Sequence, residues 1–292
     1  MIHFLHRLLS PPALVLGGAL SLVPCGCAGL VRPASTRFTE QLSLAILDQD
    51  DPQTVKDGAP AFLILIDGLI RDDPENASLL LSGAKLYASY AGAFVGDTER
   101  ARRLADRAHE YGERALCLRR VDFCAAMGRP YDVFAIALKG LERSDVAALY
   151  VWAMSLAVKI QASSQDWNAV ADLPKVEAAM ERVVELDDEF EGGRAYVYLG
   201  ILDTLRPAAL GGKPAQGRAH FERAIQISSG RDLMAKVMLA KYYARLVFDR
   251  DLHDRVLESV LAARTDEPGY TLSNALAKEE ARRLLETAAD YF

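Results

Sequence analysis

The residues that most often carry chemistry are scarce in this chain of 292 residues. It has four cysteines and five histidines, and His3 and His6 fall in the first seven positions. The other three, His109, His220 and His253, lie far apart, and His109-Glu110 lacks the second histidine four positions on that makes a zinc-binding helix. No metal site, catalytic set or cofactor is expected. Lys and Arg number 34 against 40 Asp and Glu, a net charge of −6, and no basic stripe is present. An acidic surface of that kind has no electrostatic footprint for a phosphate backbone, which excludes nucleic acid as a main partner. Strand signals are also missing: no period-two run is bounded by a hairpin dipeptide. Gly211-Gly212-Lys213-Pro214 looks like a phosphate loop only at first sight. It lacks Ser or Thr after the lysine and follows a helical pattern, so it reads as a glycine turn in a long loop. The acidic clusters Asp187-Asp188-Glu189 and Glu279-Glu280 read as helix caps and solvated charge. Beyond the N-terminus no apolar run reaches the length of a bilayer span, and Ala59 to Ile66 stops at Asp67.

The N-terminal segment supplies what the rest withholds. A short polar start with His3, His6 and Arg7 leads into an apolar run from Leu8 to Val23, closed by Pro24-Cys25-Gly26-Cys27. That layout predicts a secretory signal peptide over residues 1–26, too short for a spanning helix. The cysteine at its end resembles the lipobox of bacterial lipoproteins. Cys27 follows a small residue, Gly26, and is favoured as the lipidated anchor, although Pro24 three positions back is atypical. Cys25 is the alternative, with Leu22 three back but Pro24 directly before the scissile bond. No Asp follows either cysteine closely, so the expected location is the periplasm, lipid-anchored, with the outer membrane favoured over the inner. Two cysteines remain, Cys117 and Cys124. In an oxidising compartment they can form a disulfide; two small buried apolar residues are the equal alternative.

After an anchor and linker at residues 27–36, the helical period predicts one all-α domain over residues 37–292. Helices are expected near 38–48, 51–71, 79–94, 97–116, 130–141, 145–164, 172–187, 190–204, 214–228, 231–247, 250–264 and 272–290. Asp51-Pro52 gives a cap followed by a proline at the first helical position, and Asp97 caps a later helix. Small and large residues recur at helix-pair spacing, most clearly Gly217, Phe221 and Ala224 after Tyr196, Leu199 and Gly200. This predicts a tetratricopeptide-like array of degenerate repeats, in which small residues let helices approach closely; a generic helical bundle would look similar.

Several stretches carry a resemblance that spans the mature chain. Tyr87-Ala88-Ser89-Tyr90-Ala91-Gly92-Ala93-Phe94-Val95 with Asp97 and Arg100-Ala101 is similar to the T component associated with TRAP transporters, the TatT family. So are Asp57-Gly58-Ala59-Pro60-Ala61, Gly211-Gly212-Lys213-Pro214 with His220-Phe221-Glu222-Arg223-Ala224-Ile225, and Leu272-Ser273-Asn274-Ala275-Leu276-Ala277-Lys278. The resemblance implies a periplasmic lipoprotein of tetratricopeptide-like helices and a homotrimer. It also implies a hydrophobic cavity in each subunit, a periplasmic substrate-binding P component as partner, and a small hydrophobic or amphipathic organic acid as cargo. An enzyme is not expected. Aromatic stripes at helical spacing are mostly core, but a cavity lining of aromatics with phenol hydroxyls would suit such a ligand. The candidate lining set is Tyr87, Tyr90, Trp152 and Tyr196. The competing function is a tetratricopeptide-type lipoprotein scaffold for envelope assembly that holds no small molecule.

Overall fold

The computed structural model describes residues 41–292. The signal-peptide segment 1–26, both candidate anchor cysteines Cys25 and Cys27, and the linker at 27–36 lie outside the described residues. Helix makes up 79% of the structure and, among the described residues, there is no strand. The chain is helical over 41–47 (α1) and continues through α2 (Pro52–Asp72), α3 (Ala77–Phe94), α4 (Thr98–Arg119), α5 (Val121–Met127), α6 (Tyr131–Leu138) and α7 (Val146–Ala162). A short α8 (Trp167–Val170) leads to α9 (Leu173–Leu186), α10 (Arg194–Asp203), α11 (Pro214–Ile227) and α12 (Leu233–Met238). The last turns are α13 (Arg250–Ala262), α14 (Thr271–Glu286) and α15 (Ala288–Tyr291).

Local chemistry sets the boundaries. The carboxylate of Asp51 accepts from the backbone N–H of Gln53, and Pro52 occupies a first-turn position that needs no donor. Asn76 and Asp97 cap α3 and α4 in the same way, through the N–H groups of Leu79 and Arg100. The expected single helix at 231–247 is more complex, because α12 runs into a π-helical turn over Leu239–Ala244. Between the helices expected near 97–116 and 130–141 the structure adds α5, which starts directly after Arg120, a helix that periodicity alone does not separate.

The heaviest packing is of α3 on α4, α4 on α7, α10 on α11 and α7 on α9, so that the short helices α5, α6 and α8 are bypassed by the main stack. Apolar α7 is the axis of this arrangement: its residues from Val146 to Leu156 are buried except Ala147. The 20-residue stretch Arg143–Ala162 is long and apolar enough to cross a membrane, a span the sequence pattern does not single out, and 67% of its most apolar window is buried inside the fold. Two helix pairs meet at glycine. A Cβ on Gly112 of α4 would lie 2.9 Å from the Ser155 hydroxyl of α7. A Cβ on Gly200 of α10 would lie 2.8 Å from the Phe221 ring of α11, and one on Gly217 would lie 3.0 Å from the Gly200 carbonyl. Gly200 and Gly217 thus stand where the sequence pattern expects two helices to close on each other.

A large apolar cluster runs from α2 to α10 and takes in Leu272 of α14. A second, aliphatic cluster joins α12, α13 and α14 around Leu233, Val237, Leu257, Val260 and Leu284. The array curls, so that α14 touches α2 and the Gly269 N–H donates to the Asp48 carboxylate at 2.6 Å. Helices from both ends of the chain therefore surround a common interior.

Candidate functional site

The four aromatics singled out from the sequence do not share one wall. Tyr87 is buried, and its hydroxyl donates to Asp67 at 2.8 Å; the Tyr111 hydroxyl donates to the other oxygen of the same carboxylate at 2.7 Å. One acid from α2 thus ties α3 and α4 to its own helix. Burial, then the hydrogen bond and charge of Asp67, push the Tyr111 phenol up to about 12 and raise that of Tyr87 further. Tyr90 is buried as well, and its partner explains a proline. Pro60 lies inside α2 and has no N–H, which leaves the carbonyl four residues earlier without its helical donor. That carbonyl belongs to Lys56, and the Tyr90 hydroxyl donates to it at 3.2 Å.

Trp152 is only 2% exposed and lies within the packed core, with ring centroids 5.5 Å from Phe134, 6.4 Å from Phe123 and 6.0 Å from His109. It reaches no open surface, and its indole N–H has no hydrogen-bond partner. Tyr196 is half-buried beside His220, 5.7 Å between ring centroids. Cys117 and Cys124 are bonded, Cα atoms 4.8 Å apart, at the junction of α4 and α5.

The histidines have structural surroundings. His109 lies beside the hydroxyl of Ser155 at 3.3 Å, and Ser155 itself donates to the Trp152 carbonyl at 2.9 Å. Burial, helped by Lys159, pushes His109 down to about 4, against a weaker opposing effect of Asp172. His220 bonds the buried Asp203 at 2.9 Å. Burial raises Asp203 although His220 and Lys213 oppose it. The Lys213 N–H donates to the Asp203 carbonyl at 2.8 Å, which draws the glycine loop back onto the end of α10. A Cβ on Gly212 would collide with the Arg206 carbonyl, so only glycine fits there.

A more open polar group is built around the start of α10. Three successive residues, Glu191, Gly192 and Gly193, have φ values of 51°, 68° and 78°. A Cβ on Gly192 would collide with the Tyr270 hydroxyl, and one on Gly193 would lie 2.8 Å from Ile227. This left-handed turn sends Glu191 to an ion pair with Lys85 of α3 and places Arg194 at the first position of α10. The Arg194 guanidinium lies over the Tyr270 ring at 5.3 Å, and its Nε is 3.4 Å from the Asp232 carboxylate. Asn274, fully buried in α14, fixes that acid: its side chain accepts from the Leu233 N–H at 3.0 Å and donates to the Arg231 carbonyl at 2.9 Å, bracketing Asp232. Tyr150 of α7 completes the group, edge-on to Phe190 at 5.4 Å and to Tyr198 of α10 at 6.3 Å.

Arg194 and Tyr198 are ringed by protein yet stay accessible. Burial pushes the Tyr198 phenol up to about 12 although the residue is only half-buried. Burial also pushes Arg194 down, but Asp232, the nearby phenols and Glu191 outweigh it and hold the guanidinium above its ordinary value; 26% of its side chain is still open. The group is thus crowded by protein and still partly open to solvent. None of Tyr150, Tyr198 and Arg194 belongs to the lining set expected from the sequence.

Fold and site together define an all-helical protein with a partly open polar group at the start of α10. The profile of the family described as TRAP transporter T-component matches residues 48–292, and the chain belongs to that family. It is therefore an accessory component on the periplasmic side of a TRAP transport system, and the family is not known for enzymes. A search among curated proteins gives no match.

Proposed function

We propose that the protein is a lipid-anchored periplasmic T component that takes a small hydrophobic or amphipathic organic acid into its interior and docks the substrate-binding P component. The observation that carries this reading is the family match over residues 48–292; the partly open polar group at the start of α10, to which α3, α7, α10 and α14 contribute side chains, supports it. In this reading Cys27, or Cys25, carries the lipid after removal of residues 1–26. Several acyl chains hold such a protein firmly, where one chain binds only marginally, and the outer membrane is the favoured site. Residues 37–292 act as one domain of degenerate tetratricopeptide-like pairs, and the working unit is a homotrimer. Close packing at Gly200 and Gly217 supports the repeat reading. Tyr87 and Tyr90 shape the walls from behind, since protein groups already engage their hydroxyls.

The test has two arms. The full-length protein, purified from membranes, is examined by mass spectrometry for co-extracted organic acids, and a substrate-binding P component is sought by pull-down. Recovery of a carboxylic acid and of the P component supports the proposal. A protein that holds neither leaves the envelope scaffold as the better account.

A further inference from the structure

The polar group at the start of α10 combines features that conflict unless something anionic sits there. Arginine at the first position of a helix is electrostatically unfavourable, because the N-terminal end of the helix dipole is already positive. Gly193 supplies no side-chain cap to offset it. Of the five donors on the guanidinium, only Nε has a charged partner, Asp232 at 3.4 Å, longer than a good hydrogen bond. Tyr150 is 4% exposed, and neither its hydroxyl nor that of Tyr198 has a hydrogen-bond partner among the described residues. The fully enclosed polar side-chain atoms without a partner among the described residues are the Trp152 indole nitrogen and Arg182 Nε, so the Tyr150 and Tyr198 hydroxyls are left to solvent or a ligand, whereas those of Tyr87, Tyr90 and Tyr111 engage protein groups.

The charged members of this polar group are Lys85, Arg194 and Arg231 against Glu191 and Asp232. Lys85 pairs with Glu191, and Arg231 lies over the Tyr270 ring at 5.7 Å. One positive charge is left over, and Arg194 has the most unused donors. The apolar groups of this region are Tyr150 and Leu199, which are buried in the main apolar cluster, and Phe190 and Tyr198, which are partly buried against it.

We propose that Arg194, with the hydroxyls of Tyr150 and Tyr198, anchors the carboxylate of an amphipathic ligand whose apolar part lies along the adjoining cluster. Asp232, held by Asn274, positions the guanidinium without neutralising all its donors. Glu191 and Lys85 close the charge balance at the rim. The proposal rests on the ligand-binding reading above and adds to it the group that recognises the acid.

The test is titration calorimetry of full-length protein in a non-ionic detergent, with a detergent-only blank. The probes are butyrate, octanoate and dodecanoate, each alongside its primary amide, which keeps the chain and loses the charge. The wild type should prefer acid over amide. Arg194→Gln should weaken carboxylate binding about ten-fold or more, the scale of a hydrogen bond to a charged group, and leave amide binding unchanged; Arg194→Lys should restore part of the loss. Tyr150→Phe combined with Tyr198→Phe removes both hydroxyls and keeps the rings, so it tests the anchor even if Arg194→Gln does not fold, and it should weaken the acid several-fold. Equal binding of acid and amide by the wild type, or unchanged acid binding in the folded variants, overturns the anchor and leaves the ligand reading standing. Failure of the wild type to bind any acid or amide overturns both, while capture of the P component would still uphold the docking part.

Discussion

Two polar clusters in this protein are built from the same residue types and finished differently. Around Asp67, a carboxylate and the phenols of Tyr87 and Tyr111 satisfy one another at 2.7–2.8 Å across α2, α3 and α4. Around Arg194, a guanidinium and the phenols of Tyr150 and Tyr198 meet without doing so. The first is a closed knot. Its side chains are buried with partners, which is how a core keeps polar groups at low cost. The second leaves donors facing accessible space between helices that the curl of the array brings together. The contrast teaches that an aromatic hydroxyl in a helical array is diagnostic only through its partner: buried and engaged it marks the scaffold, buried and free it marks the place where something else must bind.

The largest effect expected on the closed side is at Trp152. Truncation to Ala removes a side chain packed against Phe123, Phe134 and His109, and should cost about 4 kcal/mol, as large core aromatics do. Thermal unfolding of the variant measures it. A loss under about 1 kcal/mol would mean that Trp152 borders open space and that the division between closed core and open polar group is drawn in the wrong place.

Asp67 comes next. Replacing it by Ala leaves the Tyr111 phenol without an acceptor and the Tyr87 phenol with only the Leu63 carbonyl at 3.5 Å, at about 1–3 kcal/mol for each group orphaned, so roughly 3 kcal/mol in all is expected from denaturant unfolding. Tyr87→Phe combined with Tyr111→Phe should be milder, because no polar group except the carboxylate is stranded and Asp67 is only half-buried. If the double variant is the more damaging, the knot is held by its rings and not by its hydrogen bonds.

A pH dependence also belongs to the closed side. His109 in the folded protein titrates near 4, below its ordinary 6.5. As pH falls, the unfolded chain therefore takes up this proton first. The contribution is fully present above about 6.5 and is lost as pH drops toward 4, about 2 kcal/mol between pH 7 and pH 5. His109→Gln should flatten that part of the stability profile. An unchanged slope would mean that solvent reaches the imidazole.

Much of the closed side is legible in the sequence and little of the open side is, for a geometric reason. Asp51-Pro52, Asp97 and the Gly217-Phe221-Ala224 register are local signals, and the helices and the α10–α11 contact follow from them. The polar group at the start of α10 depends on which face of each helix turns inward. Residues two apart on a helix point about 200° apart, so Tyr150 and Trp152 face opposite ways, as do Tyr196 and Tyr198. The sequence pattern marks Trp152 and Tyr196 but cannot say whether they or the aromatics two positions away face the polar group. Arg194 is invisible for a different reason. Its role comes from the left-handed turn at Glu191 to Gly193 and from the buried Asn274 some eighty residues later, which only the closed curl brings near. Gly192-Gly193 is the one local hint, since two glycines before a helix allow a backbone that other residues adopt with strain.

The smallest expected effect divides the two clusters most sharply. Tyr90→Phe strands the Lys56 carbonyl that Pro60 has already deprived of its helical donor, and should cost about 1 kcal/mol, the usual net worth of a hydrogen bond. Tyr150→Phe and Tyr198→Phe remove hydroxyls that have no protein partner, and each should leave stability unchanged within about 0.5 kcal/mol, because a hydroxyl bonded only to solvent contributes no net hydrogen bond to folding. The three variants delete the same atom from the same kind of residue, so differences in intrinsic propensity cancel, and the melting temperatures report the hydroxyl's partner alone. The ordering expected is a clear loss for Tyr90→Phe and none for the other two. A loss of comparable size in Tyr150→Phe would show that its hydroxyl is held by the protein in solution; the polar group around Arg194 would then be a second closed knot, and Arg194 would have no phenols to share with a ligand.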